Sequence, residues 1–452
     1  MTLETIILAA GKGTRMKSEM PKVLHEVGGK PMLQHVINAA KKAGSSREVV
    51  VIGSGAELVA KKISGVEFVM QEEQLGTGHA VLSARKNFAQ SEGMVLILCG
   101  DTPLLTAELL KKFTAAHESS NCAATVLIAK MPDATGYGRV VREEDGTFKK
   151  IVEDKDANES EKKIREVNAG VYCFDVKKLF YALTKVKNDN AQGEYYLPDA
   201  LTILNDSGEK IGVFTADYAD EILGINSRIQ LAAVDRVFRM KKNQELMNAG
   251  VTIIDPNTTF IDFDVEIGKD TIIKPNVYIE GHTTIGTECT IGPNIRFVDM
   301  KVGNKVKAQF SYCHEAELCD GVTLGPYVHI RPGTTIGMDV KIGNFVEIKN
   351  SNIGKGSKLP HLQYIGDTDM GKNVNIGCGT VTCNYDGKNK FRTKIGDNAF
   401  IGCNTNLVAP VSIGDGAYTG AGSTITKDVP KNNLAIARAR QTNIEVWKDK
   451  RK

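Results

Sequence analysis

"GVTLGPYVHIRPGTTIGMDVKIGNFVEIK", residues 321–349, sets an aliphatic side chain at every sixth position: Leu324, Ile330, Ile336, Ile342 and Ile348. Glycine follows three of them, at Gly325, Gly337 and Gly343. This period belongs to a coil built from three short strands, in which one inward aliphatic residue per strand stacks on its equivalents in neighbouring coils. The register starts at Ile267, Ile273, Ile279, Ile285 and Ile291 and resumes at Leu318. It returns at Ile395, Ile401, Leu407, Ile413, Thr419 and Ile425. It breaks at Gln309–Glu317 and at Thr382–Lys394, where loops are expected to leave the prism, often at binding sites. Lys349 follows Arg331 by three steps of this period, which puts two cations on one edge in successive coils. They make either an anion site or a charged stripe.

Before the coil the pattern is different. Up to about residue 225, short β-branched runs such as "EVVVIG" (Glu48–Gly53), "VEFVM" (Val66–Met70) and "MVLILCGD" (Met94–Asp101) alternate with helical segments such as "KPMLQHVINAAKKAG" (Lys30–Gly44). Such alternation predicts an α/β layer with a mostly parallel sheet. "NSRIQLAAVDRVFRMKKNQELMNAG" (Asn226–Gly250) reads as one long helix between the halves.

The first strand runs into "LAAGKGTRM" (Leu8–Met16). Glycines there let backbone N–H groups approach an anion, and Lys12 and Arg15 add charge. The loop fits neither the P-loop nor the dinucleotide pattern, since Met16 stands where the latter needs glycine or alanine. Asp101 ends the most apolar strand, at the edge where α/β sheets bind ligands. It could also cap the helix after Pro103.

Composition narrows the class. The chain has 452 residues, 42% hydrophobic and 25% charged, enough for two or three globular domains. A net charge of +3 gives no general affinity for nucleic acid. No apolar run approaches a membrane span, and the first one, preceded by Glu4 and ended by Gly11, is too short for a secretion signal. Nine scattered cysteines, with no C-x-x-C pair, argue against zinc and a disulfide framework; free thiols in a reducing cytoplasm are expected.

A glycine loop, a long helix and a hexapeptide solenoid in this order resemble the bifunctional bacterial N-acetylglucosamine-1-phosphate uridylyltransferases / glucosamine-1-phosphate N-acetyltransferases. The resemblance spans essentially the whole chain. "LAAGKGTRM", "PKVLH", "EQLGTGHA", "GDTPLL", "GYGRV", "IVEDKDA", "NAGVY" and "GINSRIQL" carry it in the first half. "HIRPGT", "VEIKN", "HLQYIGD", "NIGCGTVTCNYDG" and "NLVAPV" carry it in the second. It implies a Rossmann-like nucleotidyltransferase domain over 1–225, a linker helix over 226–250, and a left-handed parallel β-helix acetyltransferase domain over 251–452 with a basic tail. The overall class is α/β.

The resemblance also implies the site residues. UTP and the sugar nucleotide would contact Leu8, Ala9, Ala10, Gly11, Lys22, Gln71, Gly76, Thr77, Cys99, Gly100, Asp101, Gly138, Glu153, Asn168 and Asn226, with Lys22 and Arg15 acting in catalysis. Asp101 and Asn226 would hold Mg2+, although Asn226 could equally cap the long helix. In the second half His361 would be the general base; a surface histidine is the plainer reading of that residue alone. Arg331, Lys349, Tyr364, Asn375, Asn384 and Tyr385 would bind glucosamine-1-phosphate and acetyl-CoA, with Cys378, Cys403, Ala421 and Arg438 on the CoA. Three positions depart from the family: Cys99 replaces a common tyrosine, Cys378 an alanine and Cys403 a serine. The implied assembly is a cytoplasmic homotrimer with acetyl sites between subunits, making UDP-N-acetylglucosamine for peptidoglycan and lipopolysaccharide. Its substrates are UTP, N-acetylglucosamine-1-phosphate, glucosamine-1-phosphate and acetyl-CoA, and neither nucleic acid nor membrane is a partner. Two rival readings remain, a sugar nucleotidylyltransferase with a purely structural β-helix and a non-enzymatic interaction subunit.

Overall fold

Residues 2–445 are described by a computed structural model of the chain. The chain folds as two compact units, Met1–Phe238 and Arg239–Lys452.

In the first unit the apolar runs become the middle of a sheet. Its strands lie in the order Ile211–Thr215, Ala124–Lys130, Glu166–Asp175, Met94–Cys99, Leu3–Leu8, Glu48–Ile52, Glu67–Met70. All neighbours are parallel except Glu166–Asp175, which runs antiparallel to both of its partners. A hairpin of Arg139–Arg142 and Phe148–Val152 attaches to that antiparallel strand. Alternate residues bury on opposite faces: Ile7, Val50, Leu96 and Leu98 join one core, and Ile6, Val49, Val51 and Ile97 the other. A strand buried on both faces has no use for polar residues, which is why these runs are continuously apolar. The register sets Leu8 beside Cys99. The glycine loop and Asp101 therefore leave the sheet side by side.

The expected long helix is present as Arg228–Asn248. The division between the two units falls within it, after Phe238. Leu231, Val234, Val237 and Phe238 pack with Met16, Val27, Met32, Leu104 and Ile225. Beyond the division, Leu246 joins the solenoid core, and buried Asn243 donates through Nδ2 to the carbonyls of Pro256 and Thr259 at 3.1 and 3.2 Å.

The second unit is a parallel β-helix. Each coil pairs with the next in register, as in Ile295↔Ser311, Asn344↔His361 and Ile330↔Ile348. The aliphatic positions of the sequence period are the buried columns of one continuous core. Of the two expected breaks, one is a loop and the other is not. Between Thr382 and Lys394 the coil lengthens. Tyr364 pairs with Val381 in the next coil, Val381 pairs in turn with the more distant Asn406, and residues 384–392 project as a loop closed by a Tyr385–Lys390 bridge. At Gln309–Glu317 the chain stays in the prism. Strands Ser311–His314 and Ala316–Leu318 continue the sheets, and the coil is only shortened. The expected exit there came from residue type, because the inward column holds Ala308, Ser311 and Cys313 in place of isoleucine. Of the basic tail, residues 438–445 are described and exposed; 446–452 lie outside the described residues.

Ile330 is fully buried in the column between coils. Ile330→Ala should destabilise the solenoid by about 2–5 kcal/mol. Denaturant unfolding would show this as a lower midpoint; an unchanged midpoint would mean that the column is not close-packed.

Candidate functional sites

The first site is a cavity of about 480 Å3 at the carboxyl edge of the sheet. Leu8, Ala9, Ala10, Gly11, Lys22, Gln71, Gly76, Thr77, Cys99 and Asp101, all expected there, line it. Among the described residues, the backbone N–H groups of Ala10, Gly11, Lys12 and Gly13 donate to no acceptor. Four free donors and the exposed side chain of Lys12 around one opening suit a phosphate chain. Gly13 sits at φ 58, and a Cβ there would come within 2.7 Å of Lys22 Cβ, so glycine is required for the lysine to approach. Met16, 1% exposed, anchors the loop's far end.

At the floor of the cavity Lys22 Nζ donates to Asp101 Oδ2 at 2.5 Å and to Asn226 Oδ1 at 3.0 Å. These three residues are distant in sequence, and the backbone brings them together. Ile225 N–H donates to the Asp101 carbonyl at 3.0 Å, which sets Asn226 beside the strand end. Neither oxygen-bearing residue is a helix cap. Thr106 caps the helix Ala107–Ser120, and Ser227 Oγ accepts from Gln230 N at the start of the long helix. With the capping role filled, Asp101 and Asn226 are left pointing at a cation.

Two features at the other end escaped sequence reasoning. Gln74 Nε2 donates to the Ala10 carbonyl at 2.8 Å, tying the 71–78 segment across the loop. Gly76, at φ 110, lies against Tyr195, whose carbonyl a Cβ would meet at 2.7 Å. Gln71 is buried and donates through Nε2 to the Gly76 carbonyl at 3.1 Å, so its amide is fixed by the turn it faces. Six expected residues, Arg15, Gly100, Gly138, Glu153, Asn168 and Asn226, do not line this cavity. Gly100 faces Leu8 and Leu33. Gly138, Glu153 and Asn168 form a neighbouring group: Asn168 N–H donates to the Gly138 carbonyl at 2.9 Å, and a Cβ on Gly138 would touch Glu153 Oε1 at 3.1 Å. Cys99 joins the two groups, its thiol donating to the Gly170 carbonyl at 3.5 Å while Gly170 N–H donates to Asn168 Oδ1 at 3.0 Å. Burial, and secondarily the carboxylate of Asp101, push the Cys99 thiol up to about 12. It stays a neutral thiol. Burial also raises Glu153, helped by Asp156 and Asp199.

The second site lies on the solenoid surface. Arg331 and Lys349 fall on one edge in successive coils, since Ile330 pairs with Ile348 and Arg331 N–H donates to the Ile348 carbonyl at 2.9 Å. A third cation, Lys390, reaches the pair from the projecting loop. Its ammonium is the main reason that Lys349 titrates below the ordinary lysine range, with burial and Arg331 adding to the effect. Arg331 also donates through Nη1 to Glu347 Oε1 at 2.8 Å, which leaves Lys349 and Lys390 as the cations whose repulsion a bound anion would relieve. The repeat break gave notice of that loop but not of Lys390. Gly366, next on the edge after Lys349, leaves room that a Cβ would take from Tyr364 Oη (2.5 Å) and Asn384 Nδ2 (2.7 Å). Asn384 also donates to Asp367 Oδ2 at 2.5 Å. Tyr385 is exposed, and its hydroxyl donates to the Gly387 carbonyl at 2.6 Å.

His361 is exposed one coil above Asn344, whose Oδ1 lies 3.4 Å from the ring Nδ1. With Nδ1–H donating there, Nε2 carries the lone pair that accepts a proton. Lys358 pairs with Asn375, Ile376 with Ile401, and Ile401 with Thr419. Carried forward, this register stacks Asn344, His361, Cys378, Cys403 and Ala421 in one column at one corner. Gly379 N–H donates to the Leu362 carbonyl, Asn404 N–H to that of Cys378 and Gly422 N–H to that of Cys403, at 2.7–2.9 Å. Arg438 comes within reach at the top, its Cδ 3.9 Å from a Cβ placed on Gly422.

Among the described residues no helix is long and apolar enough to cross a membrane. A family model described as a MobA-like NTP transferase domain matches residues 5–192, and one described as the bacterial transferase hexapeptide (six repeats) matches 264–294, 315–350 and 392–427. Three similar curated proteins are called "Bifunctional protein GlmU". That of Halalkalibacterium halodurans is 52% identical over 447 residues, 99% of this chain and 98% of the relative. That of Geobacillus thermodenitrificans is 52% identical over 98% and 97% of the two chains, and that of Caldanaerobacter subterraneus subsp. tengcongensis 52% over 99% and 98%.

Near Glu153, burial and the carboxylate of Asp156 raise Asp199 to about 6. A carboxyl raised in the folded state opposes folding when ionised. The penalty is absent below the unfolded value near ~3.9, grows as pH rises, and is complete above about 6. Asp199→Asn should therefore raise the melting temperature at pH 8 and leave it unchanged near pH 3.5. A variant no more stable at pH 8 would contradict this.

Proposed function

The chain belongs to the family of bifunctional GlmU proteins, an NTP transferase joined to a hexapeptide transferase, and we propose how its two sites divide the work. On the solenoid, the amine of glucosamine-1-phosphate attacks the thioester of acetyl-CoA. In the first unit, a phosphate oxygen of the resulting N-acetylglucosamine-1-phosphate attacks the α-phosphorus of UTP, and pyrophosphate leaves. The product, UDP-N-acetylglucosamine, is the activated sugar for peptidoglycan and lipopolysaccharide.

One observation carries the first assignment: Lys22 and Asp101 meet in a cavity rimmed by free N–H donors, and Asn226 Oδ1 accepts from the same ammonium. Phosphoryl chemistry asks a protein mainly for positioning and neutralised charge. The free N–H groups of Ala10 to Gly13, with Lys12 and Arg15, hold the triphosphate, and Lys22 faces the phosphates from below. Gln71, Gly76 and Thr77 read the base. Gly138, Glu153 and Asn168, reached through Cys99, bind the sugar. Nucleotidyltransferases of this kind use a divalent metal, here Mg2+, and the residues fit one. A carboxylate and an amide oxygen already converge on a single positive charge, and Mg2+ takes few protein oxygens and completes its shell with phosphate and water. Asp101 and Asn226 would hold it. Bound there, it would neutralise charge on the phosphates.

At the second site, Arg331, Lys349 and Lys390 bind the sugar phosphate, while Tyr364, Asn375, Asn384 and Tyr385 border the amino sugar. His361 Nε2 takes the proton that the substrate ammonium must lose before attack. CoA lies along the corner column of Cys378, Cys403 and Ala421, with Arg438 at its phosphate end. A homotrimer accounts for the surface beside it. Phe310, Tyr327, Phe345 and Leu362 form a column of exposed apolar side chains, each 36–57% exposed, ending next to His361. Such a stripe calls for a covering surface. Nine free thiols suit the cytoplasm.

Asp101→Asn should lower pyrophosphate release about 10²-fold or more, as loss of a preorganised charge does, and leave acetylation intact. His361→Ala should lower CoA thiol release by about 10²–10⁴-fold, with little change in acetyl-CoA affinity and with pyrophosphate release at the wild-type rate. Acetylation persisting in the second variant would leave His361 a surface residue.

A further inference from the structure

Two cysteines of the corner column stand one above the other. The pairing of Ile376 with Ile401 places Cys378 against Cys403, and Asn404 N–H donates to the Cys378 carbonyl at 2.7 Å. A Cβ built on Gly377 would lie 2.8 Å from Cys403 Cα, so the two corners are in close contact. The paired strands that lead into these two corners lie about 4.7–4.9 Å apart, inside the Cα separation of about 4.4–6.8 Å that a disulfide spans. No other cysteine of the solenoid has this arrangement. Cys313 pairs with Ile330 and Cys383 with Val408, while the register sets Cys319 against Gly337 and Cys289 against Val306. The pair is also unequal: Cys403 is exposed and Cys378 half-buried. Both lie directly above His361 in the column.

We infer that Cys378 and Cys403 form a dithiol across two coils that reduces CoA disulfide, and that the resulting protein disulfide closes the acetyl-CoA site. The inference rests on the placement of acetyl-CoA along this column. The ligand class follows from that placement, since a site that seats the thioester sulfur of acetyl-CoA here also seats a CoA-borne disulfide. The exposed Cys403 thiolate attacks one sulfur of CoA disulfide. A Cys403–CoA bond forms, the disulfide breaks, and one CoA leaves as thiolate and takes up a proton. The Cys378 thiolate then attacks Cys403 Sγ, displacing the second CoA thiolate. One disulfide is reduced to two CoA thiols, two protein thiols are oxidised to one disulfide, and their protons end on the released CoA. The half-buried thiol resolves because it needs to reach only its stacked neighbour.

The test incubates reduced full-length protein with CoA disulfide and follows cysteine peptides by mass spectrometry together with released thiol. The expected result is a Cys378–Cys403 cross-link with two CoA thiols freed for each. Acetylation should be lost, pyrophosphate release kept, and dithiothreitol should restore acetylation. Cys378→Ala should stop at a CoA adduct on Cys403, freeing one CoA thiol. Neither cross-link nor adduct would overturn the dithiol and leave the acetyl-CoA placement standing. Cross-linking by oxidised glutathione as fast as by CoA disulfide would instead overturn the placement of CoA on this column, and the inference with it.

Discussion

Parallel pairing in register decides where most of the reactive side chains of this protein end up. In the sheet it sets Leu8 beside Cys99, so that a loop with free N–H groups and a carboxylate emerge at one edge. In the solenoid it converts a full coil of sequence separation into contact between neighbouring coils, whether the coil is regular, shortened or lengthened by a loop. Slipping a strand by one residue would turn its side chains to the opposite face. The buried aliphatic columns and the two close-packed faces of the sheet prevent that slip, so core packing and site geometry have the same cause.

Electrostatics then sorts the two sites. At the first, opposite charges attract: Lys22 is held by Asp101 and Asn226, and the ammonium marks where positive charge is welcome. At the second, like charges are forced together, with Lys349 lowered by Lys390 and Arg331. Repulsion of that kind is relieved by a bound anion. Glu153 and Asp199, raised by burial and by each other's neighbours, form a third environment where a ligand offering hydroxyl or amide donors gains from carboxylates short of solvent.

How much of this was legible depends on the range of the interaction. The solenoid was, because one buried residue per strand repeats whatever the rest of the sequence does. The segment at Gln309–Glu317 was misread because Ala308, Ser311 and Cys313 fill the column without advertising it. Arg331 and Lys349 could be paired by counting. Lys390 and Asn344 could not, since one depends on the fold of a projecting loop and the other on a coil shorter than the regular period. Asp101 and Asn226 each offered a capping role; only the structure shows Thr106 and Ser227 filling it. Glu153 sits in a charged run that reads as solvated loop, yet it packs against Gly138 beside a hairpin. Family likeness, not residue chemistry, pointed to it.

The central claim is that one chain carries two chemistries in sequence, each assembled within its own unit. It is tested by supplying glucosamine-1-phosphate, acetyl-CoA, UTP and Mg2+ to the purified protein while following free thiol and pyrophosphate separately. Both products should appear, thiol first, and pyrophosphate should vanish when acetyl-CoA is withheld and return when N-acetylglucosamine-1-phosphate is added in its place. Pyrophosphate without any thiol, when both sugar phosphates are offered, would contradict the account and leave the solenoid a scaffold.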